Sequence, residues 1–155
     1  MSAIHVPPGE GRHYTMIDGD HVAKTAVQDA SGAFEVFEVI APVAPGAPPH
    51  ISPWTGVLYL LEGRVTAMVD GNSYEVESGG LVVFPAGAPS TFHVVGGSAR
   101  FLAITSGDGA GRFFADFART VPADRPVQDS MAAILSVTSR HGVELAGARN
   151  DRVPS

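Results

Sequence analysis

His50 is the residue of this sequence whose type and setting best suit it to chemistry. An imidazole has an ordinary pKa of about 6.5, so it can exchange a proton near neutrality and raise a rate by about 10²–10⁴-fold. His50 begins a stretch of five short apolar runs that ends at Val94. The runs are separated by turn sequences: Glu62-Gly63, Asp70-Gly71, Gly79-Gly80 and Pro85-Ala86-Gly87. This alternation of short apolar runs and turns predicts a small antiparallel β-barrel or sandwich, and His50 lies where such a barrel would have its active site.

The composition limits the classes of protein and of partner. The 155 residues predict one domain over residues 1–155, large enough to bury about 70% of its unfolded surface. The net charge is −6, Lys24 is the only lysine and the arginines are scattered. No nucleic-acid partner is expected, because phosphate binding needs a basic stripe. The sequence has no cysteine, which excludes disulfides and thiolate metal sites.

Targeting signals are not recognisable in the sequence. The first residues, MSAIHVPPGEGRHY, lack the basic start and continuous apolar core of a signal peptide. No apolar run approaches the about 20 residues that a membrane-spanning helix needs. We therefore expect a cytoplasmic protein with no membrane partner.

The first third of the chain predicts an arm followed by strands. Residues 1–12 are rich in proline and glycine and read as an N-terminal arm without a helix signal. In the clearest period-2 pattern, Phe34 and Val36 alternate with Glu35, which suggests a buried face and a wetter face. Strands are predicted over residues 13–17, 21–27, 33–40 and 98–105.

Residues 110–142 predict a helical extension at the C-terminal end. Phe113, Phe114 and Phe117 share one helix face, and such an aromatic stripe is typical of packing against the barrel. A last helix is expected from Val127 or Ser130 to His141, because Gly142 stops it. The barrel core itself is expected to occupy residues 34–105.

Two motifs in this core resemble those of the cupins, in particular small single-domain cupins similar to quercetin dioxygenase. In the run PPHISPWTGVLYLLEG, His50 takes the place of the first motif's first histidine and Gly63 that of its closing glycine. In GGLVVFPAGAPSTFHV, Gly79, Pro85 and Gly87 fall in register with the second motif. The resemblance implies an all-β fold: a cupin barrel, the double-stranded β-helix or jelly roll, with short C-terminal helices.

The resemblance also implies that this chain lacks most of the metal ligands of the family. Members of the family usually hold a divalent metal with two histidines and a glutamate from the first motif and one histidine from the second. Those four places are here His50, Ser52, Gly56 and Ser90. A serine hydroxyl is a poor ligand for a first-row metal, and a catalytic metal generally needs about three protein ligands. No metal or other cofactor is therefore expected, with a divalent metal held by His50 as the alternative.

Other side chains are poorly placed to repair a metal site. His93 lies three residues beyond the ligand place and points outward if Ser90 and Phe92 point inward, because neighbours in a strand face opposite ways. His5, His13 and His21 precede the predicted core, and Glu62 lies on its turn side.

The substitutions predict an enlarged pocket in place of the metal. It would hold the imidazole of His50, the proposed general base or acid, with Ser52 and Ser90 to hydrogen-bond a carbonyl or enolate oxygen. Trp54 is expected at the mouth and Gly56 is expected to leave space. The apolar walls are expected to come from Leu58, Leu60, Phe84 and Phe92.

The favoured function is a metal-independent enzyme that moves a proton on a small cyclic or aromatic compound, in isomerase, cyclase or lyase chemistry. Two alternatives stay open. One is a metal-dependent dioxygenase of the quercetin dioxygenase type with an unusual ligand set, and the other is a non-catalytic small-molecule-binding module. For His50 the alternative role is structural, as a residue hydrogen-bonded to a neighbour. Unpaired edge strands and the N-terminal arm predict a homodimer.

Overall fold

The computed structural model describes residues 2–44 and 48–146. In this part of the chain nine strands form one curled sheet, followed by two α-helices. The strands are β1 Arg12–Met16, β2 Gly19–Asp29, β3 Gly32–Ala41, β4 His50–Ile51, β5 Gly56–Val69, β6 Asn72–Glu77, β7 Leu81–Phe84, β8 Ser90–Ser106 and β9 Glu144–Leu145. The helices are α1 Ala110–Thr120 and α2 Met131–Arg140, with a 3₁₀ turn Val127–Ser130 before α2.

Two long strands, β5 and β8, hold the barrel together. They pair antiparallel along most of their length and bend where the register shifts, at Leu60, Glu62 and Arg64 of β5. One half of β8 continues into β3, β2 and β1, while β5 also carries β6 and β7. Asp70 and Gly71 have φ values of 53° and 84°, as a tight hairpin turn between β5 and β6 requires. The predicted all-β cupin barrel with two short C-terminal helices is confirmed.

The faces of β3 are reversed relative to the alternation expected from sequence. Phe34 lies on the outer face and is 43% exposed, whereas Glu35 points inward and is 8% exposed. The carboxylate tolerates burial because the backbone N–H of Gly111, in the first turn of α1, donates to Glu35 Oε1 at 3.1 Å. A negative group at a helix N-terminus is also favoured by the helix dipole. The expected wet face of β3 therefore serves as a docking point for α1.

The C-terminal helices pack on the barrel through the predicted aromatic stripe. Phe113 and Phe117 belong to a second apolar cluster, while Phe114 contacts Phe37 of the barrel core with ring centroids 4.9 Å apart. The predicted last helix is confirmed, with its first turn as a 3₁₀ helix. Neither helix has the length and apolar character needed to cross a bilayer. The division of the chain into arm, barrel and extension within one domain stays a prediction.

A single carboxylate, Asp116 on α1, connects the two helices. It is 8% exposed and accepts hydrogen bonds from Arg140 Nε at 3.0 Å and from His141 Nε2 at 2.8 Å. Arg119 and Thr120, from its own helix, each donate to Oδ1 at 3.1 Å. These donors, Arg140 first and His141 next, hold the pKa of Asp116 far below its usual range. Both carboxylate oxygens are saturated, which fits a purely structural role.

Candidate functional site

A cavity lies inside the barrel and is closed on one side by α1. Its volume is about 130 Å³, and part of it is open to solvent. Among the predicted polar positions His50, Ser52, Gly56 and Ser90 line it. Among the predicted apolar positions Trp54, Leu58, Phe84 and Phe92 line it. The structure thus brings eight of the nine predicted positions to one cavity, although their roles stay predictions.

Leu60 lies elsewhere. Its side chain is 0% exposed and packs in the barrel core, and it does not border the cavity. Leu60 and Leu58 point to the same interior, but Leu60 lies opposite Phe101 on β8, a ring that contacts Phe92 with centroids 5.3 Å apart. This pair of rings fills the space that Leu60 was expected to border.

Strand register explains how residues distant in sequence meet at the cavity. His50 of β4 pairs with Ser90 of β8, so two of the four ligand places of the family motif are direct neighbours across a ladder. Gly56 of β5 lies between Phe84 of β7 and Thr105 of β8 in a single cross-strand row. Side chains directly opposite one another in a ladder share a face, so both groups point into the barrel.

Gly56 opens the interior at the place where the family motif has a glutamate. A Cβ built on Gly56 would meet no atom within 4 Å. The backbone φ of Gly56 lies outside the left-handed region, so a side chain would be compatible with the strand at this position. The space next to Gly56 therefore follows from the missing side chain and is part of the cavity.

His50 sits in an environment that favours its neutral form. Burial is the main influence and lowers the pKa of the imidazole, while the negative charge of Asp18 and the Pro48 carbonyl act in the opposite direction. A neutral imidazole has one protonated nitrogen and one acceptor nitrogen. The acceptor nitrogen is what a general base needs.

Four polar residues of the cavity were not predicted: Asp18, His21, Thr91 and Thr105. His21 was set aside as a replacement metal ligand because it precedes the predicted core, but it borders the cavity. It lies opposite Val39, is 5% exposed, and stacks on Phe114 with ring centroids 4.6 Å apart. The β1–β2 hairpin folds onto the barrel mouth, and the Asp18-Gly19-Asp20 turn was the available signal in the sequence.

The hydrogen bonds of these residues leave several atoms without a protein partner. The Gly19 carbonyl lies 3.2 Å from His21 Nδ1, so this ring nitrogen carries a proton and donates it to the carbonyl. Within the described residues, Asp18 Oδ1 and Thr105 Oγ1 are buried without a hydrogen-bond partner. Buried polar atoms are seldom left unpaired in folded proteins, so such atoms at a cavity wall indicate a ligand or water position.

Ser90 has a different role from the one expected. Its hydroxyl donates to the Ala88 carbonyl at 3.0 Å, so toward the cavity it offers only lone pairs. Ser52 has no such local bond among the described residues and can donate to a ligand. Of the two serines expected to stabilise an oxyanion, only Ser52 is free to do so.

Helix α1 and the connection before β5 close the cavity. Phe114 of α1 forms part of the wall. Trp54 borders the cavity and contacts Phe113 with ring centroids 5.7 Å apart, so the tryptophan also anchors α1. His93 does not border the cavity, in agreement with its predicted outward direction.

The donor set does not fit the metal that cupin barrels commonly hold. Asp18, His21 and His50 all border the cavity, but nowhere in residues 2–44 and 48–146 do three histidine or carboxylate side chains converge as metal ligands would. Glu62 is committed to Arg100 Nη2 at 3.0 Å on the outside of the barrel. A catalytic metal site needs about three converging ligands, so no step of the chemistry is assigned to a metal here.

Comparison with known proteins identifies the fold. Residues 36–105 match the family model described as "Cupin domain", and they contain the barrel strands around the cavity. This segment is similar to a cupin domain, and its strands form a barrel of the cupin fold. No curated protein sequence matches the chain.

Solved structures support the same fold. The polyketide cyclase RemF from Streptomyces resistomycificus aligns with a TM-score of 0.57 and 22% identity over 69% of this chain and 81% of that one. KdgF from a Halomonas species aligns with a TM-score of 0.61 and 11% identity over 69% and 96%. The DMSP lyase DddQ from Ruegeria pomeroyi DSS-3 aligns over 48% of this chain and 39% of the lyase with 21% identity, and its TM-score of 0.45 is too low to bear on the fold. At these identities the likeness concerns the fold.

Proposed function

We propose that this chain is a small-molecule cupin enzyme that moves a proton on a cyclic or aromatic organic compound without a metal. His50 is the proposed general base: its bare ring nitrogen takes a proton from a substrate carbon or oxygen. The imidazolium then returns the proton to another substrate atom, in an isomerisation, cyclisation or elimination. Ser52 is the proposed donor to the oxygen on which charge develops.

The observation that carries this proposal is the state of His50. The ring of His50 borders a largely apolar cavity, and burial lowers the pKa of the imidazole. A neutral imidazole has one acceptor nitrogen and is prepared to accept a proton at neutral pH.

Hydrogen exchange measures proton transfer even when the final product has not been identified. Cyclic and aromatic carbonyl compounds are incubated with the protein in D₂O, and loss of substrate C–H signal is followed by NMR. The wild type should catalyse exchange with a subset of the compounds. The His50→Gln variant should lose about 10²-fold or more of that rate.

His93→Gln is the matched control, because His93 lies on β8 outside the cavity. Its exchange rate should equal that of the wild type. Undiminished exchange in His50→Gln would remove the proposed base. Tight binding of the same compounds without exchange would favour the non-catalytic binding module.

The metal-dependent dioxygenase of the quercetin dioxygenase type is the competing function. It requires a divalent metal on ligands outside the family's usual set, with His50 as one of them. Elemental analysis of protein purified without chelator separates the two proposals. We expect less than about 0.1 equivalent of any first-row metal, since such a site needs about three ligands. One equivalent that is lost in His50→Gln would support the dioxygenase.

The predicted homodimer and cytoplasmic location remain predictions. In support of pairing, the outer sheet face carries exposed apolar side chains on neighbouring strands: Phe34, Tyr59, Leu81, Val83 and Ile104. Light scattering tests the oligomeric state directly. A solution mass equal to the chain mass of 16.1 kDa would contradict the homodimer.

A further inference from the structure

The polar atoms around the cavity are mostly hydrogen-bond acceptors. Burial favours the neutral form of His50, which has one acceptor nitrogen, and His21 Nδ1 is held by the Gly19 carbonyl. Ser90 has donated its proton to the Ala88 carbonyl. Asp18 Oδ1 is an acceptor without a donor. A ligand that satisfies such a cavity has to bring the donors itself.

The cavity also has a negative charge, on Asp18, that no cationic side chain of its described wall balances. Asp18 borders it and has no ion pair with any described arginine, lysine or histidine. No arginine or lysine belongs to its described wall. An isolated carboxylate in a partly desolvated place is unfavourable, and a cationic ligand would remove that penalty. A carboxylate or phosphate ligand would instead meet a like charge with nothing to offset it.

Aromatic rings supply the rest of the wall. Trp54, Phe84, Phe92, Phe101 and Phe114 all border the cavity. The face of an aromatic ring attracts a cation, and the interaction strengthens when the cation is desolvated. Thr105 is 4% exposed, and its Oγ1 has no hydrogen-bond partner among the described residues. This hydroxyl offers a second polar point beside Gly56, in the row that also contains Phe84.

We infer that the substrate of this cavity is a small organic cation, an aromatic or cyclic amine, whose charge is balanced by Asp18 and whose ring packs among the aromatic side chains. The inference rests on the proposed function, since it concerns the same cavity and names its substrate class. It assigns Asp18 as the specificity-determining residue, distinct from the general base His50. The amine N–H groups satisfy the acceptors that the protein leaves unpaired.

Three probes of nearly equal shape separate the possible charge classes. Phenethylammonium, 2-phenylethanol and phenylacetate share one ring and differ in the charge of the terminal group. Isothermal titration at pH 7 in low salt should show phenethylammonium binding at least about tenfold more tightly than the alcohol. Phenylacetate should bind more weakly still.

Asp18→Asn tests the residue that sets this order. It keeps the shape of the turn, removes the charge, and should weaken phenethylammonium at least about tenfold while leaving the alcohol within about twofold. The matched control is Asp70→Asn, which removes the same charge from another two-residue hairpin turn, away from the cavity. Thermal melting of both variants verifies that they are folded.

The outcomes separate this inference from the proposed function. It is overturned if phenylacetate or the alcohol binds best, if none of the probes binds at millimolar concentration, or if a folded Asp18→Asn binds the cation as tightly as the wild type. Loss of cation preference in Asp18→Asn, with Asp70→Asn unchanged, supports it. Cation binding that persists while His50→Gln exchanges protons at the wild-type rate contradicts only the proposed base.

Discussion

Two aspartates of this protein, Asp18 and Asp116, lie in opposite surroundings. Both oxygens of Asp116 accept hydrogen bonds from α1 and from the end of α2, and two of its partners are arginines. Asp18, at the tip of the β1–β2 hairpin, has a buried oxygen without a donor and no ion pair among the described residues. A carboxylate whose oxygens all accept hydrogen bonds stabilises the fold. A carboxylate beside a cavity that lacks such donors is instead a candidate for binding a ligand.

This contrast shows where to look for function in this barrel. Charge pairing is complete between the helices and incomplete around the cavity. If the cavity were only a remnant of a metal site, Asp18 would have no reason to stay unpaired, because substitution by a neutral residue would be neutral or stabilising. Substitutions at both places test whether the two aspartates differ in this way.

The largest effect is expected at Asp116. Asp116→Asn replaces an acceptor by an amide that faces Arg140 and His141, and it leaves their protons unpaired. We expect the melting temperature to fall by roughly 5 °C or more. Asp124→Asn, an exposed carboxylate in the α1–α2 connection, should leave it unchanged. A melting temperature within a degree of the wild type would mean that the network has no structural role.

The lowered pKa of Asp116 also predicts that the stability of the protein depends on pH. The pKa of Asp116 is lowered in the folded state, so its contribution is present above the ordinary carboxyl pKa of about 4 and is lost as the pH falls below it. Thermal melts between pH 2 and 6 should therefore show a steeper acid loss in the wild type than in Asp116→Asn. If the melting temperatures of the two proteins fell in parallel with pH, the lowered pKa assigned to Asp116 would be contradicted.

The next effect concerns the space at Gly56. Gly56→Val adds a side chain where a Cβ meets nothing within 4 Å, on a strand where Val is favoured. We expect the free energy of unfolding to rise by about 0.5–1 kcal/mol, because glycine loses more backbone entropy on folding. Binding of phenethylammonium should fall at least about tenfold by titration. A variant that binds normally would show that the ligand does not use this space.

A smaller effect is expected at Asp18. Asp18→Asn should leave the melting temperature unchanged or raise it by about a degree, since no ion pair is lost with the charge. The measurement is the same thermal melt used for Asp116→Asn. A loss as large as that of Asp116→Asn would mean that Asp18 has a structural partner after all, and the contrast between the two aspartates would disappear.

The smallest effect concerns the titration of His50. Burial lowers its pKa in the folded state, so the unfolded chain binds more protons just below pH 6.5 and stability declines there as the pH falls. NMR titration of the imidazole should give a pKa below about 6.5, and His50→Gln should flatten the stability profile between about pH 5 and 6.5. A pKa above that value would oppose the role of neutral base.

The sequence predicted the barrel because its turns are local. Gly79 and Gly87 have positive φ values, which glycine tolerates, and both lie between strands as predicted. Gly63 also has a positive φ, but it lies inside β5 at the register shift, so the predicted Glu62-Gly63 turn is a bend within one strand. The pocket positions Ser52, Gly56 and Ser90 were predicted from the resemblance to the family motif.

The position of His21, which was not predicted, depends on a β-bulge. The β2–β3 ladder shifts register between Ala23 and Thr25, and this shift places His21 opposite the fully buried Val39. If Lys24 paired regularly with Phe37, His21 would lie opposite Ile40, on the outer face. A shift of the pairing register by one residue moves every side chain of the strand to the other face. The residues around the bulge do not have a composition from which it could be predicted. The buried Glu35 was missed for a similar reason, because its partner Gly111 is distant in sequence.

The strand that carries His50 has a consequence for how the protein is made. β4 contains only His50 and Ile51, and it pairs with Ser90 on one side and with β9, through Leu145 and Glu144, on the other. During synthesis the N-terminal hairpin and most of the barrel leave the ribosome well before β9 does. His50 is therefore fixed on both sides only after Leu145 has emerged, and the imidazole acquires its fixed position late, when the C-terminal helices dock. A nascent or truncated chain could fold its sheet and still have no organised base.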